Sequence, residues 1–211
     1  MSYFHDTAAL ARKDLLLELR GRETLPAMAL FVVAVLVAFR FALTGDQSDA
    51  AAGLLWVAIV FTALLGLGRA FVPEREQGVL DALVLAPCDR SAIWLAKLVA
   101  TLVFLVLVEL IALPAFAIFF GGLDGATLAA VALADVGICA VGTLLAAMAV
   151  AGRSRELLLP LLFLPLAIPI VIGGVGATVV DDPAPYLGFL GLYDALFAIL
   201  AWATFDYVVA E

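Results

Sequence analysis

The sequence predicts an all-α integral membrane protein with six transmembrane helices. Hydrophobic residues make up 66% of the chain, charged residues make up 14%, and the mean hydropathy is +1.19. A typical globular domain is about half apolar and a quarter charged. The apolar residues also lie in six runs. Each run is long enough for a membrane-spanning helix, which needs about 20 residues to cross a bilayer. This composition excludes a soluble globular domain.

The six spans form one transmembrane domain covering residues 1–211. Eight charged residues precede the first span, and that span is too long for the apolar core of a signal peptide, so we expect no cleavable signal. Cys88 lies in a connection and Cys139 in a span, which predicts two free thiols. The spans are predicted at 25–43, 51–72, 92–120, 126–151, 157–180 and 186–208.

The basic residues predict the orientation of the chain. The alternate connections 44–49, 121–125 and 179–186 contain no Lys or Arg. Because cytoplasmic connections carry the positive excess, we expect both termini on the cytoplasmic side of the cell membrane. Arg40 is the one exception. The ten basic residues on the inner side are Arg12, Lys13, Arg20, Arg22, Arg69, Arg75, Arg90, Lys97, Arg153 and Arg155.

The segment 4–23 is predicted to be a helix lying in the inner membrane interface. An apolar stripe recurs at helical spacing, and Lys13 and Arg20 lie opposite it. The alternative is a polar stretch that only leads into the first span. The residues of the stripe are Phe4, Ala8, Ala11, Leu15 and Leu19.

The second connection, 73–91, is predicted to contain a short amphipathic helix. Pro73 suits its first turn, where Glu74 and Glu76 interact favourably with the helix dipole. Pro87 ends the helix, and Asp89 or Ser91 then caps the third span. The apolar face must be buried against lipid headgroups or a cytoplasmic protein, and the pattern alone favours neither. The apolar positions are Val79, Leu80, Leu83 and Val84.

The chain contains no nucleotide-binding motif and no catalytic constellation. A phosphate-binding loop needs GxxxxGK[ST], yet the only lysines are Lys13 and Lys97, in LARKD and WLAKL. Any ATP must therefore be bound by another subunit. His5, the one histidine, is expected to be solvated, so we predict no metal site. An intramembrane enzyme is disfavoured because no nucleophile–base pair is visible.

Four ionisable residues are predicted in the outer half of the bilayer: Arg40, Glu109, Asp135 and Asp194. Charged side chains at such depth are costly and usually pair or line a cavity. One interpretation is a structural pair between Arg40 and one of the acids. The other is a polar cavity or gate that contains all four.

The fifth span contains three prolines, Pro160, Pro165 and Pro169, followed by Gly173, Gly174 and Gly176. Since proline removes an amide donor and kinks a helix, this element is expected to be broken or curved. The prolines are a candidate hinge, with a fixed kink as the alternative. The fourth span is rich in Ala and Gly, which is typical of close helix packing.

The stretch from 53 to 98, GLLWVAIVFTALLGLGRAFVPEREQGVLDALVLAPCDRSAIWLAKL, resembles the CcmB family, the membrane subunit of the cytochrome c maturation ABC transporter. The similarity extends through RKDLLLELRGRET (12–24), VELIALPAF (108–116) and LPLLFLPLAIPIVIGG (159–174), and so covers most of the chain. The residues that carry it at the second connection are Glu74, Glu76, Gly78, Leu80, Leu83, Pro87 and Lys97.

The resemblance implies a six-span permease of the ABC-2 exporter type, with 73–91 as the coupling segment for a separate ATPase, CcmA. The carboxylates of Glu74 and Glu76 would pair with basic residues of the ATPase. The full set of expected coupling residues is Glu74, Glu76, Gly78, Leu80, Leu83 and Pro87. It implies a homodimer associated with CcmC, with CcmD in some complexes, and with the haem chaperone CcmE. ATP would be bound by the partner and haem would be handled by the complex, with no cofactor on this chain.

Two functions follow from the resemblance. The chain either transmits ATP-driven motion that releases the haem-loaded chaperone, or moves a substrate such as haem, a lipid or a drug through its own interface. The outer connections contain no His, Cys or Met, the usual ligands of haem iron, which favours the first. A continuous polar path past the four ionisable residues would favour the second.

Overall fold

The computed structural model describes residues 3–43, 48–76, 78, 89–151 and 155–210. This part of the chain is helical and contains no strand. The helices are α1 (Tyr3–Gly21), α2 (Thr24–Ala42), α3 (Ser48–Leu67), α4 (Val72–Glu76), α5 (Arg90–Phe120), α6 (Gly125–Ala151), α7 (Arg155–Val179) and α8 (Ala184–Ala210).

Among the described residues, six stretches are long and apolar enough to cross a membrane, which confirms the predicted fold class. A bilayer-spanning helix satisfies all of its backbone polar groups internally, so long apolar runs adopt this conformation. The second stretch continues past the end of α3 through a turn into α4. The six stretches are Thr24–Ala42, Ala50–Arg75, Arg90–Phe120, Gly125–Val150, Leu157–Val179 and Ala184–Val208.

The central helix of the bundle is α6, which packs against α3, α5, α7 and α8. Its small residues allow this close approach, as the sequence predicts. A side chain added at Gly142 would collide with Leu67 on α3. Because lipid tails are as apolar as leucine, such close packing rather than hydrophobic exclusion holds membrane helices together.

The glycines of α7 receive aromatic side chains from both neighbouring helices. A Cβ at Gly174 would collide with the buried ring of Trp56, and one at Gly176 would collide with Tyr186. The Trp56 indole N–H also donates to the Thr178 hydroxyl, 3.2 Å away. These glycines therefore act as packing positions between α3, α7 and α8.

The fifth span is not broken. Pro160, Pro165 and Pro169 all lie inside the continuous helix α7, so the broken form of the prediction is wrong, whereas the curved form stays a prediction. The Tyr193 hydroxyl of α8 donates to the Leu166 carbonyl oxygen at 2.8 Å. This hydrogen bond joins α8 to the proline-containing part of α7. The proposed hinge at these prolines stays a prediction.

The connection between α1 and α2 is a tight corner. Arg22 has a φ of 53°, a left-handed conformation that closes the end of α1. The carboxylate of Glu18 then accepts hydrogen bonds from the amides of Thr24 (2.7 Å) and Leu25 (2.9 Å). Because the first amides of a helix have no partner within it, Glu18 caps the first membrane span.

Helix α1 packs along α5, and its buried face differs from the predicted apolar stripe. Thr7 and Ala11 are buried against the protein, whereas Phe4 and Leu19 are exposed. The exposed members of the stripe leave an apolar surface facing away from the bundle. Such a surface suits a helix in the membrane interface, which stays a prediction.

Candidate functional site

A buried ion-pair network connects the start of the second connection to two other parts of the chain. Glu74 is only 1% exposed, and its Oε1 accepts hydrogen bonds from Lys13 Nζ at 2.5 Å and Lys97 Nζ at 2.8 Å. Lys97 also pairs with Asp14 Oδ2 at 2.9 Å and donates to the Ala70 carbonyl oxygen at 2.7 Å. The network therefore joins α1, α4 and α5.

The charges of this network balance, with two lysines against two carboxylates. Removing one partner of a buried pair leaves an uncompensated charge and typically costs about 3–5 kcal/mol. Burial tends to lower the pKa of the Lys13 ammonium, but the hydrogen bond to Glu74 and the nearby Asp14 and Glu74 charges outweigh it and raise that pKa. The Phe71 ring lies 5.0 Å from Lys97 Nζ and adds a cation–π contact.

Glu74 does not have the role that the sequence analysis gives it. The carboxylate was expected to face a partner protein, but the structure buries it and pairs it within the chain. Gly78 is exposed and has a φ of 64°, a left-handed conformation that favours glycine over any residue with a Cβ. The side chain of Glu76 and all of Leu80, Leu83 and Pro87 lie outside the described residues.

The start of the third span is capped by Asp89, one of the two predicted candidates. Its Oδ1 accepts from the Ser91 amide at 3.0 Å and from the Ser91 hydroxyl at 2.8 Å. The chain therefore re-enters the membrane with a defined boundary immediately after the second connection.

The sequence pattern does not reveal Lys13 and Lys97 as the partners of Glu74, or Asp14 as the second carboxylate paired with both lysines. One signal was present: Lys97 shares a helical face with Trp94 and Thr101, and all three are buried. A lysine on a buried face needs an anionic partner. Which acid supplies it depends on contacts across 61 residues of sequence, between Lys13 and Glu74, and periodicity does not give these.

A second cluster consists of three acids in the membrane-spanning bundle. Glu109, Asp135 and Asp194 are 6%, 1% and 7% exposed and come from α5, α6 and α8. The Glu109 and Asp135 side chains line one groove of about 340 Å³ between α5 and α6. The Asp194 carboxylate lies against the backbone of Gly137, where a Cβ would collide with it. The structure thus brings together three of the four ionisable residues that the sequence singles out.

Arg40 is not part of this cluster. It is exposed in the last turn of α2, and no ion pair among the described residues joins it to Glu109, Asp135 or Asp194. The predicted structural pair between Arg40 and one of these acids is therefore wrong. Arg40 does not line the groove either, so the four residues do not form one polar path.

The protein-family comparison agrees with this architecture. The model described as "CcmB protein" matches residues 5–208. The chain belongs to the CcmB family. Among its relatives, "Heme exporter protein B" of Rhodobacter capsulatus is 31% identical over 93% of this chain and 95% of that protein. "Heme exporter protein B" of Pseudomonas aeruginosa is 33% identical over 80% of this chain and 78% of that protein. The family resemblance inferred from the second connection is confirmed.

Proposed function

We propose that this CcmB-family protein is the membrane subunit of a haem-export ABC transporter that serves cytochrome c maturation. The family match over residues 5–208 and the relatives named "Heme exporter protein B" support this function. The six spans provide the multi-pass permease that such a complex needs. ATP is bound and hydrolysed by a separate CcmA-like subunit, because the sequence has no phosphate-binding loop.

The observation that carries the coupling mechanism is the buried network around Glu74. A subunit that transmits motion needs a rigid connection between its docking segment and its membrane helices. Glu74 lies at the beginning of the second connection and is tied by ion pairs to α1 and α5. When a CcmA-like ATPase displaces the segment 73–91, these pairs carry the displacement into both helices. Glu74 is thus a positioning residue rather than a docking residue.

The mechanical role extends to the outer side of the membrane. We place the protein in the cytoplasmic membrane with both termini inside, supported by the distribution of the basic residues. The chain is one of two copies, and CcmC-like, CcmE-like and, in some complexes, CcmD-like proteins handle the haem. The chain transmits motion that releases the haem-loaded chaperone rather than carrying haem itself, and the absence of His, Cys and Met from the outer connections supports this role.

Deleting the gene tests this function. We expect the deletion strain to lose covalently attached c-type haem and keep its b-type cytochromes, because only the former require the maturation complex. Haem staining of denatured membrane proteins measures the first, and difference spectra measure the second. A plasmid copy of the gene should restore the staining. Unchanged c-type staining in the deletion strain would indicate a lipid or drug exporter instead.

A further inference from the structure

The groove between α5 and α6 has an unusual combination of properties. Its rims are apolar and exposed, and include Val106 and Leu110 on α5 with Leu128 on α6. Its floor contains the carboxyl groups of Glu109 and Asp135. In a bilayer, exposed leucine and valine are ordinary lipid-facing residues. Two carboxyl groups at the bottom of a lipid-facing groove are unusual, because charged groups at such depth in a bilayer are costly.

Glu109 and Asp135 hydrogen-bond to each other, and among the described residues no ion pair joins a basic side chain to the three acids. Glu109 Oε1, Asp135 Oδ1 and both carboxylate oxygens of Asp194 are buried without a hydrogen-bond partner. The basic residue that precedes Glu109 on α5 is Lys97, twelve positions and about 18 Å nearer the inner end. It is engaged by Glu74 and Asp14. Buried polar groups in folded proteins are normally satisfied, so the cluster calls for a cationic donor from outside.

We propose that the α5–α6 groove docks a transmembrane helix of a different membrane subunit, and that this helix presents a basic side chain to Glu109 and Asp135. Charge complementarity favours this occupant, since a lysine, arginine or histidine would neutralise the carboxyl groups and hydrogen-bond their unpartnered oxygens. The rims repeat at helical spacing and fit a helix laid along the groove.

Depth argues against lipid headgroups as the occupant. Glu109 lies eleven residues from the outer end of α5, and Asp135 lies ten residues from that of α6, about 15–17 Å in each case. Headgroups remain at the membrane surface.

Photo-crosslinking in the native complex tests this docking site. Benzoylphenylalanine is placed at Leu110 in the full-length chain, which is expressed in its own host with its natural partners. The control position is Leu192, which is exposed to a similar degree, 70% against 66% for Leu110. Leu192 also lies two residues from Asp194 and therefore points to the opposite side of α8 at nearly the same depth. We expect a protein adduct from Leu110 and none from Leu192.

The chemistry of the adduct decides the outcome. The crosslinked peptide should come from another membrane protein and contain a basic residue within a membrane span. An adduct with lipid only, with a second copy, or with a span that lacks a basic residue would overturn the proposal.

Two variants test the role of the carboxyl groups and of the groove itself. Glu109→Gln combined with Asp135→Asn should reduce the adduct yield roughly tenfold or more, as expected when a buried charge pair loses one side. Leu128→Trp should have the same effect by filling the groove while keeping both acids. Co-purification of the ATPase should be unchanged in both variants. If either variant accumulates in the membrane and its crosslink yield is unchanged, the proposal is refuted. The proposed coupling role of 73–91 would not be affected.

Discussion

At the scale of single residues, the network around Glu74 shows how a charge can be kept in an apolar bundle. Each carboxylate of the network contacts an ammonium group, and Lys97 contacts both carboxylates and a backbone carbonyl. Such an arrangement contributes little net stability compared with apolar residues of the same volume, but it fails when one member is removed. It therefore fixes the relative positions of α1, α4 and α5.

Lys97→Met should lower the free energy of unfolding by about 3–5 kcal/mol, because Glu74 and Asp14 would lose their shared cation. Adding Glu74→Gln to this variant should cost less than the sum of the two single changes, with an interaction energy of about 0.5–3 kcal/mol. Unfolding of the purified protein in detergent measures each value.

A matched control is the exposed pair between Arg69 and Glu23, whose atoms are 3.0 Å apart and whose side chains are 48% and 75% exposed. Exposed pairs are worth about 0–1 kcal/mol, so Arg69→Gln should have little effect. If Lys97→Met and Arg69→Gln proved equally mild, the network would have no structural role.

At the scale of elements, the sequence predicts the spans well and their internal contacts poorly. Hydropathy identifies each span because the bilayer leaves a long apolar segment almost no alternative to a helix. The prolines of α7 suggested a broken or curved element, but α7 is one continuous helix packed against α3, α6 and α8, and the sequence does not reveal these contacts. The role of Glu74 was misassigned for the same kind of reason. Its partners lie on α1 and α5, and only the folded bundle brings them together.

The segment 73–91 is the element on which the coupling proposal depends. With Glu74 directed into the bundle, docking of the ATPase must rely on the apolar positions that follow. Burying a leucine is worth about 1.5–3 kcal/mol, whereas a surface ion pair is worth about 0–1 kcal/mol. Leu80 and Leu83 should therefore dominate the interaction and Glu76 should contribute little.

Leu80→Asp and Leu83→Asp should each leave the protein in the membrane and abolish co-purification of the ATPase. Glu76→Ala is the control and should retain most of the ATPase. Quantitative immunoblotting of both subunits after mild solubilisation gives their ratio. An unchanged ratio in both leucine variants would mean that the segment only lies on the lipid surface.

At the scale of the whole molecule, the charge distribution divides the protein into two ends. The end predicted to be cytoplasmic holds ten basic residues and the paired network. At the opposite end, Asp124 accepts a hydrogen bond from the Thr127 amide at 2.8 Å, and Asp182 accepts one from the Ala184 amide at 3.2 Å. Carboxylates thus cap the helices that begin on that side, where the helix dipole favours negative charge. Hydrogen bonding from Thr127 lowers the pKa of Asp124 and keeps it ionised.

This division predicts the membrane topology, which cysteine labelling measures in intact cells. Single cysteines at Gln47 and Asp181 should react with an impermeant thiol reagent, and one at Ser154 should react only after the membrane is permeabilised. These positions leave the caps Asp124 and Asp182 intact, whose loss would cost about 1 kcal/mol each. The background carries Cys88→Ser, while Cys139 is buried in α6 and serves as an internal negative control. Labelling of Ser154→Cys in intact cells, with the other two unreactive, would invert the orientation. It would place the segment 73–91 on the outer face, beyond the reach of any ATPase.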